Sequence, residues 1–223
     1  MAGRVPDLID ELPAEQRIAA AYMAAAIRPA FVTAFALDQR LARIVAKTTE
    51  PMLGQMRIAW WREALMKPAE DRPGGDAVLD AIAHHWPSDY RHLIQLVDAW
   101  EYMLAGEALG QEALQSFIEH RIRPLLFLAG KVTSAPTASA ATWATRNWAL
   151  ADVMCHLADE SERGLVRQMA NEMPDRPDRL PRGIRGLIVL GALGARALNA
   201  GGAPLMQGRG AALVAMRAAT LGF

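Results

Sequence analysis

The sequence predicts an all-α protein, and three observations carry that reading. Alanine, leucine and methionine dominate a chain that is 52% hydrophobic. Runs of β-branched residues are short, and no succession of alternating apolar and polar segments offers a set of strands. Apolar residues recur instead at three- and four-residue spacing, which puts them on one face of a helix. With 223 residues the chain can bury one sizeable core, so one helical domain over residues 1–223 is expected.

Ten helices are expected in order. The first pair, 14–27 and 30–47, is separated by Pro29, which cannot continue a helix interior. A third covers 50–66. Thr49 is placed to cap it, Glu50 suits the positive helix end, and Pro51 sits where no backbone N–H is needed. The turn-rich stretch Pro68 to Gly75 leads to a helix over 75–85, and Pro87, Ser88 and Asp89 start the next, over 88–105. In that helix Leu93, Val97, Trp100 and Leu104 form one stripe, with Tyr90 and Ile94 beside it. Helices over 108–129 and 138–158 flank Thr133 to Thr137, which contains Pro136. A helix over 161–172 precedes Pro174 to Arg182, whose three prolines make it the expected mobile loop. The last two helices cover 183–198 and 205–220. Ala-rich patches read as helix interiors, where small side chains let helices approach closely.

Charge narrows the function classes. The 24 Lys plus Arg equal the 24 Asp plus Glu, so the basic excess of a nucleic-acid partner is missing. A single cysteine, Cys155, excludes an intrachain disulfide framework and fits a reducing compartment. Asp7, Asp10, Glu11 and Glu15 crowd the start of the chain, which does not suit a secretory signal or transit peptide, and a cytoplasmic protein is expected. The most apolar stretches, Ile18 to Leu37 and Gly186 to Leu198, are broken by Arg28, Pro29 and Arg196. Neither reaches the ~20 apolar residues of a membrane span, although peripheral contact with a bilayer stays open.

The most informative segment runs from Thr48 to Leu65. Leu53, Met56, Trp60 and Ala64 recur there at helical spacing as one apolar stripe, while Arg57, Arg62 and Glu63 lie off it. Two adjacent tryptophans, Trp60 and Trp61, beside two arginines exceed what a plain surface helix needs. They are readable as core packing or as the lining of a hydrophobic cavity. Arg57 and Arg62 have the guanidinium geometry to meet a phosphate, and ion pairing is an equal reading.

With Phe35 to Val45 before it, this segment resembles the squalene/phytoene synthase family, in the bacterial form whose helix carries Glu-Pro-Leu-Leu-Gly-Glu-Ile-Arg and then Gln-Trp-Trp-Arg. That form also occurs in a branch that includes a mitochondrial complex I assembly factor. The likeness is strong over Arg28 to Leu65, weaker over Trp148 to Arg163, and general from Leu180 onwards. It implies the isoprenoid synthase fold, a helical bundle with a central cavity. Active members join two prenyl diphosphates, and paired acidic motifs hold the Mg²⁺ ions that stabilise the departing diphosphate.

Both motifs are altered here. Where the first acidic pair falls, this chain has Ala42, Arg43 and Ala46, and Asp38 is the only acid between Pro29 and Glu50. The second aligns on Asp152 to Glu160, with Cys155 in place of arginine and His156 in place of aspartate, and imidazole is a poor ligand for Mg²⁺. Asp152, His156, Asp159 and Arg163 are spaced four, three and four apart, so they are expected on one helix face flanked by Glu160. A polar face and a remnant anion site are both open readings.

The substrate-binding candidates are therefore Asp38, Arg57, Trp60, Trp61, Asp152, His156, Asp159 and Glu160. His84 and His85 suit a helix end, and Cys155 beside acids makes a weak nucleophile. No catalytic residue, resident metal or cofactor is expected. The resemblance with degenerate motifs implies a non-catalytic binding or assembly protein whose partner is a prenyl diphosphate, another apolar ligand or a protein in complex assembly. The alternative is an active, Mg²⁺-dependent prenyl transferase using Asp152, Asp159 and Glu160, with Asp38 opposite.

Overall fold

The computed structural model describes residues 5–104, 109–132, 138–175 and 182–222. The expected break at 133–137 and most of the loop expected to be mobile, residues 176–181, lie outside them. Among the described residues there are eleven α-helices, two short 3-10 helices and no strand, so the chain is all-α. No described helix is long and apolar enough to cross a membrane.

The chain divides into two compact units, one of residues 1–12 and 29–124 and the other of 13–28 and 125–223. In the first, α1 (Val5–Asp10) precedes α3 (Arg28–Lys47), α4 (Pro51–Met66), α5 (Ala77–His85), α6 (Arg91–Tyr102) and α7 (Gln111–Gly130) as far as Pro124. The α1 turn falls where no helix was expected. Phe31, Phe35, Leu37 and Leu41 bury the inner face of α3, and the Trp86 indole donates to the Ala30 carbonyl at 3.0 Å. Helix α4 begins at Pro51 with an extended residue, Glu50, before it. Thr49 does not cap it, because the helix starts one residue later than expected and Glu50 takes the N-cap position, with no side-chain cap hydrogen bond. Arg72 closes the other end by donating to the carbonyls of Leu65 and Lys67 at 3.2 and 3.1 Å. Asp76 caps α5 through the amides of Val78 and Leu79 and pairs with Arg40 at 3.1 Å. The stripe expected in α6 is buried at Leu93, Val97, Trp100 and Leu104.

In the second unit α10 (Arg185–Asn199) packs on α8 (Ala138–His156), α11 (Arg209–Leu221) and α2 (Ala14–Ala21), while α9 (Glu160–Asn171) adjoins α8. Close approach is possible because α10 presents glycines. A Cβ at Gly186 would stand 2.1 Å from the Ala19 carbonyl oxygen, one at Gly191 2.5 Å from the Ala144 Cα, and one at Gly194 2.4 Å from the Asn147 oxygen. Those contacts are with backbone, which cannot swing aside. Helix α2 ends at Ala21, six residues earlier than expected. Beyond it the chain turns, with Ala24 donating to the Gly183 carbonyl and Arg28 donating to the carbonyls of Ala21 and Met23.

Candidate functional site

Asp38 is 2% exposed, and both its carboxylate oxygens are taken. The Trp100 indole and the Arg121 Nε donate to Oδ1 at 2.8 and 3.0 Å, and an Arg121 terminal nitrogen donates to Oδ2 at 2.8 Å. The guanidinium also lies 5.0 Å from the centre of the Trp100 ring and 5.4 Å from that of Phe117. This is a dry, forked ion pair walled by aromatic rings. In this structure the Asp38 carboxylate is thus fully engaged with side chains of the protein itself. Removing two charges from water is tolerated only when each satisfies the other. Arg121 was missed in the sequence, although a signal exists. It interrupts the buried row Phe117, Ile118, Ile122 and Leu125, just as Asp38 interrupts the apolar face of α3, and two ions on apolar faces call for each other.

The second acidic stretch lies across a break between two helices, which the expected helix ends at 158 and 161 imply and the four-three-four spacing does not. Helix α8 stops at His156 and α9 starts at Glu160, so Asp152, His156, Asp159 and Arg163 do not share one helix face. The break has a local cause. Asp159 accepts from the amides of Ser161 and Glu162 at 2.8 and 3.1 Å, as the N-cap of α9. The Ser161 hydroxyl and those two amides hold the Asp159 carboxyl below the usual aspartate range. His156 Nδ1 lies 2.7 Å from the backbone oxygen of Asp152, within its own helix. Exposed Glu160 pairs with Arg163 and Arg167. Arg163 itself donates to the carbonyls of Met154 and Gly201 at 2.7 and 2.6 Å, tying the end of α8 to the turn after α10.

Sequence reasoning also missed Glu15. Burial, and then the charge of Asp152, push its carboxyl above the usual range, against the pull of its own backbone hydrogen bond and Arg17. The Cys155 thiol is likewise pushed up, by burial first and then Asp152 and Glu15, with Arg163 opposing. A raised thiol is a smaller source of thiolate, and the acids beside it are Asp152 and Glu15.

Helix α4 turns its motif outward. Gly54, Ile58, Trp61, Ala64 and Leu65 are buried, whereas Met52, Leu53, Met56, Trp60 and Met66 are 72%, 45%, 63%, 43% and 63% exposed. The apolar stripe read from the sequence is thus largely solvent-facing, and core packing describes Trp61 but not Trp60. The two rings meet edge to face at 5.3 Å. Arg57 is exposed on the same helix. Arg62 is engaged instead with Asp98, at 2.6–2.8 Å, and with Glu101. His84 and His85 end α5, as expected of them.

Paired carboxylates of the kind that hold Mg²⁺ do not fit what these residues are doing. Asp38 is neutralised by Arg121, and Asp159 faces backbone amides. Among the described residues no group of three or more His, Cys, Asp or Glu side chains gathers as a metal cradle. In the second unit a pocket of about 190 Å³ is lined by Asn147, Arg167, Asn171, Ala195, Leu198 and Asn199, and none of the expected site residues reaches it. No family model, curated protein or solved structure matches the chain.

Proposed function

We propose that this chain is a divergent squalene/phytoene synthase-like protein on an isoprenoid-synthase scaffold, acting as a non-catalytic binding or assembly protein. The observation that carries the reading is the commitment of Asp38 to Arg121 and Trp100. The acid nearest the first metal-binding motif holds the protein's own arginine, and ionising an allylic diphosphate needs cations gripped by paired carboxylates. The altered second stretch supports it as well, since Asp159 serves α9 and His156 serves its own helix.

The outward face of α4 is the surface offered to a partner. Methionines adapt their shape to an apolar partner and a half-exposed tryptophan supplies anchoring area. Acidic Glu50 and Glu63 and basic Arg57 and Lys67 border the stripe, a mixture of signs that suits an apolar protein helix with charges of its own. An internal cavity for a prenyl chain belongs to the same proposal.

Titration calorimetry with farnesyl diphosphate tests the reading, with and without Mg²⁺. Weak or Mg²⁺-independent binding and no diphosphate release are expected. Tight, strictly Mg²⁺-dependent binding with product formation that Asp159→Ala abolishes would establish the prenyl transferase instead.

A further inference from the structure

The pocket of about 190 Å³ in the second unit is built by three helices. Arg167, Ala170 and Asn171 from α9 and Ala195, Leu198 and Asn199 from α10 line it, and within each helix that spacing keeps the residues on one face. Ala170 and Ala195 leave room between those faces. Asn147 of α8 completes the lining. It is 6% exposed, and its amide nitrogen donates to the Trp143 carbonyl at 2.9 Å. A carbonyl only accepts, so that bond fixes which way the carboxamide is turned and leaves Oδ1 as an acceptor at the pocket, to which no described residue donates.

Charge decides what fits. Among the lining residues Arg167 alone is charged. Both α9 and α10 end at the pocket, with Asn171 and Asn199 as their last residues, and a helix C-terminus carries roughly half a negative charge. One cation and two such ends come near to balance, so the lining suits neither a multiply charged anion nor a plain cation. It suits a molecule that carries one charge of each sign. A dry cavity of ~150 Å³ holds benzene, so a molecule of slightly greater size fits here.

We infer that this pocket binds a small zwitterionic amino acid. Its carboxylate takes the Arg167 fork, its ammonium donates to Asn147 Oδ1 near the two helix ends, and Ala170, Ala195 and Leu198 receive an apolar side chain. In this structure Arg167 pairs with Glu160, whose side chain is 74% exposed. A pair so open to water is weak, and the ligand carboxylate replaces it like for like. The inference is independent of the proposed binding or assembly role.

Titration calorimetry of the full chain with L-leucine tests it, beside L-leucine methyl ester, which lacks the carboxylate, and isocaproate, which lacks the ammonium. L-leucine is expected to bind, and both analogues at least about 10-fold more weakly. Arg167→Gln and the cavity-filling Ala170→Leu should each weaken L-leucine by a similar factor with melting unchanged, since neither position is buried. Glu160→Gln, which frees Arg167, should tighten it roughly 2–5-fold. Asn147→Leu should remove binding as well, and if that variant melts early the two α9 variants still decide. No binding of L-leucine, equal binding of isocaproate, or binding that survives both Arg167→Gln and Ala170→Leu overturns the inference.

Discussion

Asp38 and Asp159 are two acids that the sequence reading set near two expected acidic motifs, and the protein has used them in opposite surroundings. Asp38 sits in a dry interior and receives three hydrogen bonds from side chains that lie far away in sequence. Asp159 sits in water and receives its three hydrogen bonds from Ser161 and Glu162, two and three residues on. The difference teaches that a carboxylate can be committed to structure by two routes: a long-range buried pair that the whole fold must support, or a local cap that serves one helix.

Removing each side chain should separate the two routes by size. Asp38→Ala leaves the Arg121 charge buried and should cost about 3–5 kcal/mol in urea unfolding. Asp38→Leu combined with Arg121→Met should recover most of that, and failure of the pair to recover would mean that Asp38 has a role beyond neutralising Arg121. Arg163→Ala comes next, since it strips donors from the carbonyls of Met154 and Gly201, and a loss of about 1–3 kcal/mol is expected.

Glu15 sharpens the comparison through pH. Because burial and Asp152 raise its carboxyl, the folded state holds the proton more tightly than the unfolded state. Stability from this group therefore falls as pH climbs from the ordinary glutamate value through the raised one. Glu15→Gln should match the parent in acid and exceed it near neutrality, read from melting temperatures across that range.

Asp159→Ala should give the smallest change, a slight fall in the urea midpoint at neutral pH. Its sign with pH is the reverse of that for Glu15. The carboxyl is held low, so its stabilisation is present above the ordinary aspartate value and is lost as pH drops through the folded one. The difference between variant and parent should vanish in acid.

Much of the helical order was legible, because caps, prolines and apolar spacing act within a few residues. Pro87 with Ser88 and Asp89, the α6 stripe and the helix expected over 183–198 are all of that kind. What was not legible depends on partners distant in the chain. Nothing within ten residues of Asp38 announces Arg121, and the outward turn of the α4 stripe is decided by what Ile58, Trp61 and Leu65 pack against. The spacing of Asp152, His156, Asp159 and Arg163 misled for a subtler reason. Periodicity assumes that the helix continues, and a capping aspartate is a residue that ends that continuity.

The exposure of Trp60 gives the chain a built-in optical reporter. The other five tryptophans, Trp61, Trp86, Trp100, Trp143 and Trp148, are all at most 8% exposed. An aqueous quencher such as iodide should therefore extinguish the emission of one indole and spare the rest. Shielding of that signal would register any molecule that settles on α4, whatever its chemistry, with no dye or tag attached to either side.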